Sequence, residues 1–424
     1  MERRFMYRTP QEALDAVTKA LPFRRLDSES IEVGNAYGRI LAQDLVAPVN
    51  LPSHDMSHFD GYAVRAEDTQ DASVQNPRYF TVIGELYPGQ PLEYEVHEGE
   101  AVYVTTGSFL PKGANTVVAV EATKKCKRTQ IEVRTPVNTH EHVIDCGSDI
   151  QQGVTLFREG HKLRAQDLSI LATLGVEHLS VVKKPVVTII CVGDELTDDV
   201  HESEPGKVVN SLRYTVSAMI QEAGGCPIYL GITPDNAAQL KEKIVEGIAI
   251  TDIMLILGGS SMGKKDITAV AINSLGNPGI IVHGLKRKPG RVSGFAMVQD
   301  KPIVILPGLC HSTVVGFYTL ALPVMLAMSG RAAQNARFVV NAKLTQQITF
   351  TSFIPFEQVT FVHLKRTAEG YLAEPHLGSS SSYHALARSN AFIITSPGTA
   401  TVQSGEDVEA HLLPSFFTLN NIFA

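Results

Sequence analysis

The sequence has no feature that would assign the chain to a membrane or to the secreted proteins. Its 424 residues contain no run of 18 or more apolar residues, so the sequence predicts no membrane span. The first residues, MERRFMYRTPQEAL, have no long apolar segment after the arginines, which argues against a secretory signal. We therefore expect a cytoplasmic protein.

Cysteine is scarce and scattered along the chain. None of the five cysteines forms a CxxC pair; they are Cys126, Cys146, Cys191, Cys226 and Cys310. Disulfide frameworks and zinc sites need closely spaced or regularly spaced cysteines. The pattern indicates reduced thiols, with neither a disulfide framework nor a zinc site.

The charge is uneven along the chain. The net charge of −7 does not favour general binding to nucleic acid. Residues 258–291 contain six Lys or Arg and a single acid, Asp266, whereas residues 194–204 contain six Asp or Glu. A basic and an acidic patch in one region suit a phosphate ligand held with a divalent cation. Two solvated surface loops of opposite sign would give the same pattern.

The first half of the chain predicts two helical parts around a β insert, within a chain long enough for three or four domains. Thr9-Pro10-Gln11-Glu12 is a capping box before a helix whose apolar face is Leu14, Val17 and Leu21. A second helix starts near Ala165 and ends at Gly175, with Leu168 and Leu171 inward. Short β-type runs fill residues 51–141. We predict an insert domain at 51–141 and a split elongated domain formed by 1–50 with 142–183.

The second half predicts an α/β domain and a β barrel. From about residue 185, apolar runs such as VVTIICV, IMLIL and PIVIL alternate with helical patterns, including one that Asp235 is expected to cap. This alternation indicates a parallel sheet with right-handed crossovers over residues 184–330. Helical periodicity ends after Arg331, and residues 331–424 read as the strands of a small closed β domain.

Three glycine-containing loops follow predicted strands of the α/β domain, at Val192–Leu196, Gly258–Asp266 and Leu306–Thr313. Parallel strands end at one edge of a sheet, which is where such folds bind ligands. Glycines let backbone amides approach an anion. Candidate side chains for the anion are Ser260, Ser261, Ser312, Thr313, Lys264, Lys265, Lys288 and Arg291. Each loop alone is equally compatible with an ordinary turn.

Four acidic residues near predicted strand ends are candidate ligands for Mg²⁺: Asp194, Glu195, Asp235 and Asp266. Asp235 could instead be a plain helix cap, and Asp266 could form an exposed ion pair with the lysines beside it. In the β insert, SHFDGYAV (57–64) and VTTGSFLPKGANTVV (104–118) read by themselves as turns between strands.

Together, these segments resemble the molybdopterin molybdenumtransferase family, which comprises bacterial and archaeal MoeA proteins and the C-terminal part of gephyrin. The family's S-x-M-D-G-Y-A-V is similar to residues 57–64, and its T-G-A-x-[LV]-P to residues 106–111. Its T-G-D-E-L is similar to 192–196, and its G-G-x-S-x-G-x-x-D matches Gly258, Gly259, Ser261, Gly263 and Asp266. Its K-P-G-K-P and L-P-G-N-P-x-S-A are similar to 288–292 and 306–313, and a late S-S-x-x-x-A-R-A-N to 381–390.

The resemblance implies an α/β and β multidomain fold. It comprises a three-layer molybdopterin-binding α/β domain with a parallel-rich sheet, a split elongated domain, a β insert and a C-terminal β barrel. It also implies Mg²⁺-dependent insertion of molybdate into adenylylated molybdopterin with release of AMP, and a homodimer with an active site shared between subunits. Catalytic roles would fall to Asp60, Thr106, Glu195, Asp235 and Asp266, of which the last three would hold the metal. Substrate would be bound by Gly258, Gly259, Ser261, Gly263, Lys288, Arg291, Pro307, Gly308 and Ser312. A molybdopterin adenylyltransferase is an implied partner; nucleic acid and membrane are not.

The chain departs from the family pattern at Lys264-Lys265, at Arg291-Val292 and at Leu309-Cys310. These changes leave open tungstate in place of molybdate, or a paralogue or scaffold that binds pterin without turnover. Retention of Asp60, Glu195, Asp235 and Asp266 argues against a scaffold, because a scaffold needs no metal-binding acids. A molybdopterin adenylyltransferase that uses ATP is another alternative. A generic nucleotide-binding protein is disfavoured, because the chain has neither GxxxxGK[ST] nor a clean GxGxxG.

Overall fold

The structure is a computed structural model that divides into two compact units, residues 30–181 and the residues up to 29 with those from 182 onward. The predicted division into four domains is finer than these two units and stays a prediction. The residues that the structure describes are 6–21, 25–202, 204–260, 266–331 and 338–413.

Helix α1 (Pro10–Ala20) begins with the predicted capping box. The Thr9 hydroxyl accepts from the Glu12 amide at 3.2 Å, and the Thr9 amide donates to the Glu12 carboxylate at 2.7 Å. This exchange satisfies two of the amides that a helix N-terminus leaves unpaired. The helix buries Ala13 and Val17 against the core of its unit.

The unit formed by residues 30–181 is mainly β. Six of its strands form one sheet, in the order β7-β4-β6-β5-β9-β8, and this confirms the predicted β character of residues 51–141. Tyr62 and Phe80 are buried on one face of this sheet, and Leu86 and Val104 are buried on the other. The elements from the start of this unit to its end are β1 (Ser28–Glu32), β2 (Leu45–Val46), β3 (Met56–Ser57), β4 (Gly61–Val64), β5 (Arg78–Leu86), β6 (Glu100–Val104), β7 (Thr116–Ala119), β8 (Thr123–Lys127), β9 (Gln130–Val133), β10 (Val143–Ile144), β11 (Thr155–Phe157), α2 (Ala165–Thr173) and β12 (His178–Val182).

The other unit is built on a second six-stranded sheet, in the order β16-β13-β17-β21-β20-β18. The first four strands pair in parallel, as the sequence predicts. Strand β20 pairs antiparallel with both β21 and β18, which the sequence does not predict. The elements are β13 (Val186–Val192), β14 (Leu196–Thr197), β15 (Val208–Val209), α3 (Leu212–Glu222), β16 (Cys226–Thr233), α4 (Ala237–Ile248), β17 (Ile253–Gly258), α5 (Ile267–Asn273), β18 (Gly279–His283), β19 (Arg287–Lys288), β20 (Gly294–Val298), β21 (Lys301–Leu306), α6 (Cys310–Gly316) and α7 (Leu322–Met328).

Alternation along β13 separates the two cores that cover this sheet. Ile189 belongs to the core shared with α1, α3 and the helix that starts at Cys310. Ile190 belongs to the opposite core, with Leu240 of α4 and Ile272 of α5. Successive side chains of a strand point to opposite faces, so a sheet covered on both faces reads as a continuous apolar run. The result is the expected three-layer arrangement.

The helix from Cys310 to Met328 runs through the first of these cores. It consists of α6, a π-helical segment (Phe317–Ala321) and α7. Of the described helices it is the one long and apolar enough to cross a membrane, but 83% of its most apolar stretch is buried inside the protein. Its apolar composition is that of a core helix.

The C-terminal strands form a closed five-stranded barrel, β24-β25-β22-β28-β26, in which β26 pairs back to β24. Short β19 extends this barrel by pairing parallel to β24. The β-type runs FVVNAKL, FEQVTFVHL, AFIITSPG and DVEAHLL predict β22, β24, β26 and β28, and the sequence gives no prediction of β25. The elements are β22 (Val339–Leu344), β23 (Ile348–Thr349), β24 (Glu357–Thr367), β25 (Gly370–Pro375), α8 (Tyr383–Ala387), β26 (Ala391–Thr395), β27 (Thr401–Val402) and β28 (Asp407–Leu412).

Candidate active site

An acidic cleft of about 480 Å³ lies at the carboxyl edge of the mostly parallel sheet. Strands β13, β17 and β21 are adjacent and parallel, so their three predicted loops leave the sheet at this edge. The cleft brings together seven of the predicted site residues: Asp194, Glu195, Asp235, Gly258, Gly259, Ser260 and Gly308.

Two of these residues must be glycine for the backbone to follow its path along the cleft. Gly258 and Gly259 have φ angles of +88° and +64°. A Cβ at Gly258 would lie 2.5 Å from the Val192 carbonyl oxygen, and one at Gly259 would lie 2.6 Å from the Thr268 hydroxyl. Both glycines line the cleft, where a backbone without side chains suits the approach of an anion.

The carboxylates of the cleft come from two loops. The Asp194 carboxylate accepts from the Asp235 amide at 3.1 Å and so ties the loop after β13 to the loop after β16. The Glu195 carboxylate lies over Gly193, 2.5 Å from where a Cβ would be. Both Glu195 and Asp235 line the cleft. With Asp194, which also lines the cleft, they make it acidic.

The prediction that Asp235 caps α4 is wrong. The cap is Asn236, whose side-chain oxygen accepts from the amides of Ala238 and Gln239 at 2.9 and 3.1 Å. Asp and Asn are both good helix caps, so the sequence alone did not show which of the two adjacent residues caps α4. Because Asn236 performs this task, the Asp235 carboxylate remains available to the cleft.

A hydrogen-bond network beside the acidic cleft was not predicted from the sequence. The Asn210 side chain is 4% exposed and donates to Asp198 at 3.1 Å and to the Tyr229 hydroxyl at 2.8 Å. The Tyr229 hydroxyl itself donates to Asp198 at 2.8 Å, and burial raises the pKa of Tyr229. Burial also raises the pKa of the neighbouring Cys191 to about 12. The Asn-Ser pair before α3 was the only sequence signal for this network.

Both carboxylate oxygens of Asp266 contact other residues of the chain. One carboxylate oxygen accepts from the Ala269 amide at 2.9 Å and caps α5, and the other lies 2.9 Å from His283 Nε2. Its neighbours Ser260 and Ile267 line the acidic cleft. Ser261 and Gly263, like Lys264 and Lys265, lie outside the described residues. Within the described ranges, no three or more His, Cys, Asp or Glu side chains form a group that could hold a metal ion.

A second cleft, of about 640 Å³, is basic and contains four further predicted residues: Lys288, Arg291, Pro307 and Ser312. None of the ion pairs in the described part of the chain involves Lys288 or Arg291. Burial lowers the pKa values of His311 and His376 in the same cleft. The positive charge of the cleft therefore rests on Lys288 and Arg291 at neutral pH.

Arg287 fixes the strand that carries Lys288. Its buried guanidinium donates to Glu357 at 2.7 and 2.5 Å, and to the Thr319 hydroxyl at 2.8 Å. Glu357 belongs to β24 of the barrel, and Thr319 to the π-helical segment of the core helix. The barrel and the core helix together set the position of the basic loop.

The segment Pro307–Leu309 separates the two clefts. Gly308 lines the acidic cleft, whereas Pro307 and Leu309 line the basic one. The core helix still starts at Cys310, where the family pattern has proline, and the Thr313 hydroxyl donates to the Pro307 carbonyl at 2.6 Å. The replacement of Asn-Pro therefore leaves the start of this helix intact.

In the unit of residues 30–181, the structure brings Asp60 and Thr106 together. The Thr106 amide and hydroxyl both donate to one Asp60 carboxylate oxygen, at 2.7 and 3.0 Å. The next residue, Gly61, has no room for a side chain, because a Cβ there would lie 2.3 Å from the Val118 carbonyl oxygen. Two loops that read as ordinary turns in the sequence thus form one polar pair.

Three family models match successive parts of the chain. The MoeA N-terminal region (domain I and II) matches residues 8–175, a probable molybdopterin binding domain matches 188–327, and the MoeA C-terminal region (domain IV) matches 343–413. Their order agrees with the architecture that the resemblance implies.

Relatives and solved structures match over nearly the whole chain. A molybdopterin molybdenumtransferase of Bacillus subtilis is 31% identical over 411 residues, covering 96% of this chain and 95% of the relative. One from Nostoc is 29% identical, covering 92% and 89%. A crystal structure of a molybdopterin biosynthesis MoeA protein from Pyrococcus horikoshii is 28% identical, with a TM-score of 0.84, and covers 96% of this chain and 99% of that one. The chain belongs to the MoeA family of molybdenum cofactor biosynthesis proteins.

Proposed function

We propose that this chain inserts molybdenum from molybdate into adenylylated molybdopterin, with Mg²⁺ as cofactor and AMP as the second product. The observation that carries the proposal is the pair of clefts, one acidic and one basic, with residues 307–309 as their common wall. The phosphate and the oxyanion are both anions and both need positive charge, which Mg²⁺ held by carboxylates would supply in one cleft and the two cationic side chains in the other. Curated relatives named molybdopterin molybdenumtransferase support the reaction class.

The acidic cleft is the proposed site for the phosphate groups of the substrate and for Mg²⁺. Gly258 and Gly259 line this cleft and would present backbone to the phosphate. Mg²⁺ commonly takes one or two protein carboxylates and completes its shell with water and substrate phosphates. Glu195 and Asp235 fit that requirement, because both line this cleft. Bound there, Mg²⁺ would neutralise charge on the phosphate.

The basic cleft is the proposed site for the oxyanion. Lys288 and Arg291 supply two positive charges that no carboxylate of the described residues neutralises, and Ser312 lines the same cleft. Asp266 keeps its proposed catalytic role through position, since it fixes the start of α5 and contacts His283 beside the acidic cleft. Ser261 and Gly263 remain proposed substrate contacts.

The active enzyme is proposed to be a homodimer in the cytoplasm. Asp60 and Thr106 of one subunit would complete the site of the other, where the carboxylate, held by two hydrogen bonds, would meet the substrate. A molybdopterin adenylyltransferase would supply the adenylylated substrate.

The test is AMP release from adenylylated molybdopterin with Mg²⁺, in the presence of molybdate, of tungstate or of neither. We expect release that depends on an oxyanion. Asp235→Asn should lower kcat/KM by about two orders of magnitude. Asn236→Ala, the adjacent control, should cost about 1 kcal/mol of stability and keep its activity. Absence of AMP under every oxyanion, or equal activity in the two variants, would overturn the assignment.

A further inference from the structure

One aromatic ring, that of Phe353, contacts both cations of the basic cleft. The guanidinium carbon of Arg291 lies 4.4 Å from the ring centroid, and Lys288 Nζ lies 5.3 Å from it. Lys288 also donates to the hydroxyl of the adjacent Ser352 at 2.6 Å. Both distances are within the range at which a cation is attracted to an aromatic face.

The backbone of Phe353 is held in a conformation that a non-glycine residue rarely adopts. Its φ angle is +57°. The Phe353 carbonyl accepts from the Phe356 amide and from the side chain of buried Gln358, both at 2.8 Å. Its ring also packs on Phe356 at 5.4 Å, and Phe356 packs on Tyr7 at 5.0 Å. Such a conformation persists only where the surroundings fix it, which here aims the ring at the two cations.

The chemistry of the ring explains why an aromatic residue suits this place. Two neighbouring cations repel each other, so something must keep them together before an anion arrives. A carboxylate would do so, but it would neutralise them and compete with the anion. The face of a phenyl ring attracts cations through its quadrupole and carries no net charge. Lys288 and Arg291 therefore stay together with their full charge available.

We propose that Phe353 is a positioning residue that sets the affinity of the basic cleft for a tetrahedral oxyanion. It acts through Lys288 and Arg291 and touches no reacting atom, so it changes oxyanion binding and leaves turnover at saturation nearly unaltered. This inference rests on the proposed function, in which the basic cleft receives the oxyanion.

The experiment compares Phe353→Leu, which removes the ring and keeps apolar bulk, with Phe353→Tyr, which keeps the ring. Phe338→Leu is the matched control, because Phe338 is 74% exposed and contacts neither cation. Calorimetry with sodium molybdate on the full-length protein gives the affinity, and AMP release against molybdate concentration gives kcat and the half-saturating concentration. Sodium tungstate and sodium sulfate serve as further probes.

Phe353→Leu should weaken molybdate binding and raise the half-saturating concentration about five- to tenfold, while kcat stays close to that of the unmodified protein. Phe353→Tyr and Phe338→Leu should bind molybdate as the unmodified protein does. Ser352→Ala removes only the hydroxyl that accepts from Lys288 and should weaken binding about two- to threefold.

The proposal is overturned if Phe353→Leu binds molybdate with unchanged affinity, if Phe353→Tyr is as weak as Phe353→Leu, or if the loss lies in kcat alone. It is also overturned if the unmodified protein binds no free molybdate. Oxyanion-dependent AMP release by the unmodified protein is judged separately, so the proposed function can stand when this inference fails.

Discussion

At Gly193, the absence of a side chain leaves room for the carboxylate of Glu195. A Cβ at this position would lie 2.5 Å from the nearest oxygen of that carboxylate, well inside contact distance. Its φ of +158° is also a backbone conformation that residues with a side chain rarely adopt. Glycine is therefore required here both by the backbone and by the acidic side chain.

Gly193→Ala should therefore displace Glu195 and lower kcat/KM for AMP release by about 100-fold, and the strained backbone should also lower the melting temperature. Gly206→Ala is the control, because its φ of +93° is strained for alanine as well, whereas a Cβ there meets no atom within 4 Å. Unchanged activity in Gly193→Ala would show that the position of Glu195 does not matter to the reaction.

Some residues of the site could be predicted from the sequence, and others could not. The three glycine loops, their acids and the two cations could be predicted, because glycines and charged residues at the ends of predicted strands are visible in the sequence itself. The capping of α4 was misassigned, because Asp235 and Asn236 are equally good caps in adjacent positions. The contacts of Phe353 and Asn210 were missed, because they join residues more than ten positions apart in the chain.

At the scale of elements, Arg287 joins β19 to the barrel and to the core helix. Arg287→Ala would leave Glu357 without its partner in a partly buried place, which should cost about 3 kcal/mol of unfolding free energy. Lys343→Ala is the control, because the pair that Lys343 forms with Asp407 at 3.1 Å is exposed and should contribute at most about 1 kcal/mol. Denaturant unfolding of both variants checks this, and equal losses would mean that Arg287 is not an anchor.

Asp167, at the start of α2, gives the fold a defined pH dependence. Its buried carboxylate accepts from the Arg164 guanidinium and amide and lies 2.7 Å from His161 Nε2, and the hydrogen bonds from Arg164 lower its pKa far below the usual value. A pKa that is lower in the folded state stabilises the protein above the unfolded pKa of about 4. That stabilisation is lost progressively as the pH falls from there towards the folded pKa.

Asp167→Asn should accordingly cost about 2–3 kcal/mol at pH 7, and the difference from the unmodified protein should shrink below about pH 4. Urea unfolding at pH 7, 5 and 3 measures it. A difference that is the same at all three pH values would contradict the assignment to the ionised carboxylate.

Element predictions succeeded where periodicity was strong and failed where pairing was non-local. The capping box of α1 and the continuous apolar run of β13 can each be recognised from a few consecutive residues. Strands β18 and β20 were missed, because short apolar runs at an antiparallel sheet edge carry little periodic signal. Strand β25 was missed for a similar reason, since its place in the barrel depends on partners β22 and β24 elsewhere in the chain.

At the scale of the whole molecule, each site of the proposed homodimer takes Asp60 from one subunit and Glu195 from the other. Asp60→Asn and Glu195→Gln should each abolish AMP release as homodimers. After subunit exchange, half of the dimers contain one of each, and in each of these one shared site is intact. A 1:1 mixture should recover about a quarter of the full activity. No recovery, despite mixed dimers seen by native mass spectrometry, would place Asp60 and Glu195 in the same subunit's site.

The proposed reaction couples the loss of AMP to the gain of molybdenum on one protein. The most direct test is a single turnover with Mg²⁺, molybdate and limiting adenylylated molybdopterin, in which released AMP and molybdenum bound to the pterin are both counted. We expect one molybdenum atom incorporated for each AMP released, and neither product for Asp235→Asn. AMP release without molybdenum incorporation would identify a hydrolase and contradict the proposed function.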